Sequence, residues 1–349
     1  MKTLITGGCG FLGSNLAADC LRRGETVVVA DALFRDGSKT NLEWLRGQSG
    51  SEQMAFAQVD LADAPAVDNL FATHSPFDFI CHVGGQVAMT TSLSDPRRDL
   101  LTNIVGTFNV LEAMRKHSPD GFLAYSSTNK VYGDLELLHY GETETRYTLL
   151  DFPRGLDETL PLDFSTPYGC SKGAADQYVR DWSRVYGLKT VVFRHSSIYG
   201  GRQFASFDQG WVGWFCQKAV EQKTANEAGG SPEVFTISGT GKQVRDVLHA
   251  EDLIALYRNA YDHRDRVAGE IFNIGGGIEN SRSLLELLSL LASLTGLPQL
   301  SFSKIPRRQS DQDFFVADID KAARLLDWRP QVSSEAGIRR MLQWTVEMS

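Results

Sequence analysis

The sequence predicts an α/β protein built on a doubly wound parallel sheet, completed by a smaller C-terminal domain. Three observations predict it. Short β-branched, apolar runs at 3–6, 26–30, 55–59, 79–82, 122–125 and 190–193 alternate with helix-period stretches at 12–23, 63–73 and 101–117. The runs are continuously apolar, as strands covered on both faces are. Beyond about residue 195 the rhythm breaks into Gly- and aromatic-rich connections, helical patterns at 210–223, 251–262 and 283–295, and an irregular basic stretch at 304–308. Strand–helix alternation implies a parallel sheet between two helical layers. The expected division is 1–194, with about 245–275 returning to it, for the first domain. Residues 195–244 and 276–349 form the second.

With 349 residues, 42% of them apolar, the chain has ample material for one large domain or two joined ones. No apolar run is long enough to span a bilayer. Met1-Lys2 leads into a short apolar stretch broken at Gly7, so no export signal is expected. The five cysteines (Cys9, Cys20, Cys81, Cys170, Cys216) are odd in number and lack CxxC spacing. Neither a disulfide framework nor a zinc site is expected, and a reducing cytoplasm is. His74, His117, His139 and His263 fall in polar stretches without evident co-ligands, so no metal site is expected either. The net charge of −8 argues against nucleic acid or an anionic membrane as partner.

The first strand runs directly into Gly7-Gly8-Cys9-Gly10-Phe11-Leu12-Gly13. Gly7 and Gly10 let the backbone turn tightly and approach a pyrophosphate, while Gly13 lets the following helix pack close, with the phosphates at its N-terminus. The second strand ends in Asp31, where a carboxylate accepts ribose hydroxyls and repels a 2′-phosphate, so NAD is favoured over NADP. Arg35 nearby is a mild counter-signal. Asp60, with Leu61, follows the third strand and is placed either to meet the adenine or to cap the next helix.

Tyr168 and Lys172 have YxxxK spacing at the start of a helical pattern, with Pro167 just before. Residues four apart share a helix face. The Lys172 ammonium is therefore expected to lower the Tyr168 phenol, making it a base for a substrate hydroxyl. The fifth strand ends in the hydroxyl run Ser126-Ser127-Thr128, and ligands lie outside such strand ends. Thr128 is thus expected at the reacting hydroxyl, whereas Ser126 and Ser127 also suit turn backbone groups.

Together the glycine loop, Asp31, the Ser-Ser-Thr run before Val131-Tyr132-Gly133 and the Tyr168/Lys172 pair resemble the extended short-chain dehydrogenase/reductase family of nucleotide-sugar epimerases and dehydratases. The resemblance spans nearly the full chain. It implies a Rossmann domain holding NAD through Gly7, Gly10, Phe11, Leu12, Asp31, Asp60, Leu61, Gly84, Gln86, Asn103, Ser126, Tyr168 and Lys172. It implies a substrate site of Gln86, Thr128, Asn129, His195, Ser197, Arg202, Gln209, Arg245 and Arg308, the two last gripping the substrate phosphates. A bidentate arginine contact would reconcile an anionic substrate with an acidic chain. A homo-oligomer, dimer or tetramer, is also implied.

Dehydratases of this family carry Thr-Asp-Glu after the fifth strand; here the stretch is Thr128-Asn129-Lys130, which disfavours dehydration. The stretches 86–92, 126–134, 193–204 and 208–215 resemble more particularly a subfamily of CDP-sugar 2-epimerases that interconvert CDP-paratose and CDP-tyvelose. Ser197, where the wider family has asparagine, suits a different sugar orientation. The implied chemistry is oxidation at C2 with Tyr168 as base, rotation of the 2-keto sugar, and hydride return to the other face. A UDP-hexose 4-epimerase would use the same machinery, and a non-catalytic NAD sensor would need the glycine loop alone.

Overall fold

The computed structural model describes residues 1–206, 209–308 and 311–348. At its centre lies an all-parallel sheet of β1 (Lys2–Thr6), β2 (Thr26–Asp31), β3 (Met54–Gln58), β4 (Phe79–His82), β5 (Phe122–Thr128), β6 (Lys189–His195) and β7 (Ile271–Ile274). The strand order is β7-β6-β5-β4-β1-β2-β3. The order in which strands are added reverses between β1 and β4, which opens a crevice beyond their carboxyl ends. The sequence period locates six of these strands but not all of their ends. β5 runs to Thr128 as expected, and β6 continues to His195 because Phe193–His195 pair with Ser126–Thr128. β3 stops at Gln58, and the Val59 amide instead donates to the Asp31 carbonyl at 3.1 Å.

Two apolar cores cover the sheet. One face packs the Phe11–Arg22 and Ala250–Asp262 helices through Leu16, Leu21, Leu253 and Leu256. The other packs the Ala64–His74, Gly106–His117 and Thr166–Tyr186 helices through Leu70, Phe71, Met114 and Val179. Each such side chain, fully buried, contributes about 1.5–3 kcal/mol. The stretch expected as a helix over 101–117 is composite. A π turn at Leu101–Val105 precedes the α-helix, widening the backbone where Asn103 points inward.

The second lobe is organised by Val244–His249, which pairs with Ser197–Tyr199, Ser281–Ser283 and Phe314–Phe315. Phe302–Ile305 pairs with Phe235–Ser238, so the basic stretch that reads as irregular begins as a strand. Helices Trp211–Glu227, Leu284–Thr295 and Ser334–Met348 enclose Phe215, Leu287, Leu291 and Met341. A reciprocal Ser283–Glu286 cap starts the second of these helices and left-handed Gly296 ends it. Ala322, Leu326 and Trp328 cross back into the core of the main sheet, although they lie in the 276–349 span expected for the smaller domain. No helix among the described residues is long and apolar enough to cross a membrane.

Among the contacts that join the lobes, two involve arginines. The 141–160 segment forms a hairpin of Tyr140–Glu142 and Tyr147–Leu149, from which Arg146 reaches Glu286 through two bonds of 2.8 and 2.7 Å. Arg202, expected at the substrate, is held elsewhere. Its guanidinium lies 4.8 Å from the Trp44 ring and 5.7 Å from the Trp344 ring, and cation–π attraction keeps it there.

Beneath the site runs a buried ionic network. Arg194 on β6 bonds Asp176 of the Thr166–Tyr186 helix twice at 2.9 Å and Tyr132 Oη at 2.9 Å. Ser127 on β5 donates to Asp176 at 2.8 Å, and Tyr132 donates to Asn273 on β7 at 2.8 Å. Asp176 is fully buried and Arg194 is 3% exposed. Removing one partner strands the other charge in an apolar setting. Asp176→Ala is therefore expected to lower unfolding free energy by about 3–5 kcal/mol in urea titrations, far more than loss of a surface pair such as Lys189–Asp265.

Candidate active site

Gly7 has φ +65°, and an added Cβ would lie 2.5 Å from the Gly84 Cα, so the turns after β1 and β4 touch through bare backbone. Gly10, the N-cap of the first helix, has no side-chain cap. A Cβ there would meet only the Gly7 carbonyl, at 3.2 Å, and otherwise point into open space. The amides of Phe11 and Leu12 thus face a cradle a phosphate can fill. Asp31 accepts from the Leu33 amide at 2.7 Å and the Cys9 amide at 3.0 Å, which fixes its carboxylate at the rim. Each oxygen keeps a lone pair for a ribose hydroxyl. Asp60 does not cap the following helix; Asp63 does, at 3.1 Å. Asp60 instead turns its own loop through the Ala62 amide and pairs with Arg98 at 3.1 Å. Leu61 is buried under Gly84 and Gly106. These features fit a dinucleotide.

Across the cleft, Pro167 sits in the first turn of the Thr166–Tyr186 helix, and Tyr168, Lys172 and Asp176 follow on one face at four-residue spacing. Thr128 hydrogen-bonds the Tyr168 phenol. The Lys172 ammonium donates to the Ser126 carbonyl and stands 4.2 Å over the Tyr125 ring. The expected lowering of Tyr168 by Lys172 is not what the protein alone provides. Burial pushes the phenol up to about 12, against the pull of the Thr128 hydrogen bond and with a further rise from Asp99. Burial also brings Lys172 down to about 7, against Asp176 and Asp99. Both groups are thus held nearer their neutral forms by exclusion of water.

Several expected contacts are supports instead. Asn103, 1% exposed, spends its amide on neighbours: it accepts from the Gln86 amide at 2.8 Å and donates to the Gln86 carbonyl and Ser171, each at 3.0 Å. It therefore orients the Gln86 backbone, while the Gln86 side chain folds back on the Ala88 carbonyl at 2.7 Å. Ser126 Oγ meets His195 Nδ1 at 3.2 Å, and burial lowers that imidazole to about 3, with Lys172 adding to the drop. His195 is neutral, and its Nε2 has no hydrogen-bond partner among the described residues. Ser197 accepts from Trp211 Nε1 at 3.0 Å. Gln209 bonds Arg35, which carries charge toward Asp31. Asp208, which belongs to the 208–215 stretch, lies outside the described residues.

At the far end Arg245 pairs with Asp311 at 2.8 Å. Arg307, adjacent to the expected Arg308, pairs with Asp313 at 3.0 Å. Asn129 donates to Gln312 at 2.8 Å, tying this loop to the end of β5. Sequence reading missed Asp99, Arg307 and Gln312. Asp99 lies one turn before Asn103, and that spacing was the available signal; the other two lie in a loop without periodicity.

An open dinucleotide cradle at the switch point, faced by a YxxxK pair and a strand-end threonine, defines an extended short-chain dehydrogenase/reductase. The chain belongs to the family described as GDP-mannose 4,6 dehydratase, whose sequence profile matches residues 4–341. It is 54% identical over 345 residues to CDP-paratose 2-epimerase of Salmonella typhi, covering 99% of each chain. It is 33% identical to dTDP-glucose 4,6-dehydratase of Shigella flexneri, covering 99% of this chain and 92% of that one. Among solved structures, Thermus thermophilus UDP-glucose 4-epimerase in complex with NAD superposes with a TM-score of 0.79 at 27% identity, covering 100% of both chains.

His82 is also held neutral. Both ring nitrogens face hydroxyls, Thr6 at 2.7 Å and Thr107 at 3.0 Å, and burial lowers it to about 3 with Lys172 adding to the drop. The unfolded chain binds a proton at each of His82 and His195 near pH 6.5, which the folded chain refuses until about pH 3. Their contribution is therefore present in full above pH 6.5 and lost below it, at about 1.4 kcal/mol per pH unit per histidine. Urea midpoints are expected to fall between pH 6.5 and 4, and His82→Asn to flatten that slope.

Proposed function

We propose that the protein is an NAD-dependent nucleotide-sugar epimerase that inverts C2 of a CDP-linked hexose, of the CDP-paratose to CDP-tyvelose type. The observation that carries the reaction class is the convergence of Tyr168, Thr128 and Lys172 opposite the Gly7–Gly10 cradle. The choice of C2 and CDP rests on the full-length relative at 54% identity. Dehydration is disfavoured, because Asn129 and Lys130 stand where an acid–base carboxylate pair would be needed. The dinucleotide is held by the domain of residues 1–194 and about 245–275, and the CDP-sugar where that domain meets 195–244 and 276–349. Work in a reducing cytoplasm as a homo-oligomer is part of the same reading.

Gly7, Gly10, Phe11 and Leu12 present the pyrophosphate site, Asp31 the adenosine ribose site, and Lys172 the nicotinamide ribose site. NAD, when bound, supplies the hydride acceptor and donor and a positive charge that favours the Tyr168 phenolate. Tyr168 takes the proton from the C2 hydroxyl, with Thr128 donating to the same oxygen pair. Hydride loss makes a 2-keto sugar, which turns about its bonds to the diphosphate. Tyr168 returns its proton when the opposite face is reduced. Arg245 and Arg308 keep the nucleotide in place throughout. The cycle consumes no cofactor.

Proton NMR of CDP-paratose with purified protein and no added NAD is expected to show the C2 epimer accumulating. Tyr168→Phe should slow turnover about 10²–10⁴-fold while its bound NAD remains. An unchanged substrate in the presence of protein-bound NAD would instead favour a UDP-hexose 4-epimerase.

A further inference from the structure

The scheme above gives Lys130 no part. Lys130 follows Thr128 and Asn129 in the single turn Asn129–Tyr132. Its amide donates to Thr128 Oγ1 at 3.2 Å. Its carbonyl is so close to the next helix that a Cβ on Gly169 would sit 3.1 Å away. The Lys130 backbone is thereby fixed between the reactive threonine and the residue after Tyr168. The loop carrying Arg307 and Asp311 closes its other side. Gln312, fully buried, fastens that loop on both flanks of Lys130, accepting from Asn129 at 2.8 Å and donating to the Gly133 carbonyl at 2.6 Å. Lys130 consequently shares its surroundings with Arg245 and Arg307, balanced by Asp311 and Asp134. Burial, reinforced by Arg245, lowers its ammonium to about 8 despite the two carboxylates.

The carbon at which a sugar reacts decides how far its diphosphate lies from the base. C2 is bonded to C1, which carries the glycosyl phosphate, whereas C4 lies across the ring. With C2 at Tyr168 and Thr128, the sugar-side phosphate lies beside those two hydroxyls, and a 4-epimerase holds it a ring's width away. A cation two residues after the reactive threonine is what the first arrangement requires. We propose, resting on the C2 reading, that Lys130 binds the sugar-side phosphate of the substrate, and that Asp311 yields Arg245 to the diphosphate as it enters. A phosphate anchored here leaves the C1–oxygen bond as the axis about which the keto sugar turns.

The test reads nucleotide binding and requires no turnover. CDP carries the sugar-side phosphate and CMP lacks it, so calorimetric titration of both into the holoenzyme isolates the contact. Lys130→Met is expected to weaken CDP at least tenfold and CMP less than twofold, with Lys130→Arg regaining most of the loss. Equal CDP affinity in Lys130→Met and the wild type overturns the assignment. Equal weakening of CDP and CMP overturns it too, because the lysine would then serve the pocket as a whole. Should the wild type bind UDP in preference to CDP, the cytidine reading falls by itself, and UDP against UMP decides Lys130 by the same criteria.

Discussion

The Asp176–Arg194 ion pair is the constraint on which the rest of the architecture depends. It fastens the helix that carries Tyr168 and Lys172 to β6, and through Tyr132 and Asn273 to the edge strand β7. A buried ion pair gives little net stability. Its value here is geometric: two fixed bonds set the rotation of the helix about its axis. Since 168, 172 and 176 share one face, that rotation aims all three side chains at the strand ends. The same carboxylate then helps keep Lys172 charged against its burial.

Charge inside the cleft is governed by scarcity of water. Tyr168 rises, Lys172 and Lys130 fall, and two histidines are locked neutral. Such a site is a poor ionising medium when left to itself, and becomes an acid–base catalyst only when bound groups bring charge into it. Proton chemistry is thereby tied to occupancy. An acidic chain overall can still receive an anionic substrate, because the cations are gathered locally behind a loop of paired aspartates.

Much of this was legible in the residues. Continuous apolar runs revealed six of the seven strands, and Gly7, Gly10, Asp31 and the Tyr168/Lys172 spacing marked both sides of the cleft, because each meets a local steric or periodic demand. β7 escaped because four residues, Ile271–Ile274, carry no period of their own and become a strand only by pairing with β6. Asn103 is marked by the sequence, but its bonds to the Gln86 backbone are not. Sequence cannot tell a side chain that touches a ligand from one that orients a neighbouring backbone, and Asn103 orients the backbone of Gln86. The partners of Arg202 and Gln209 were hidden from the sequence for a related reason. Trp44, Trp344 and Arg35 are remote in the chain, and a charged or amide side chain goes to whichever partner the fold supplies.

The seating of Arg202 has an optical consequence. Trp44 belongs to the dinucleotide lobe and Trp344 to the last helix, and one guanidinium separates their indoles. Indole emission is sensitive to a nearby cation and to entering water, so any parting of the lobes would alter the light these two rings give off. The protein therefore carries, at its own seam, an intrinsic fluorophore pair for following lobe motion without a label.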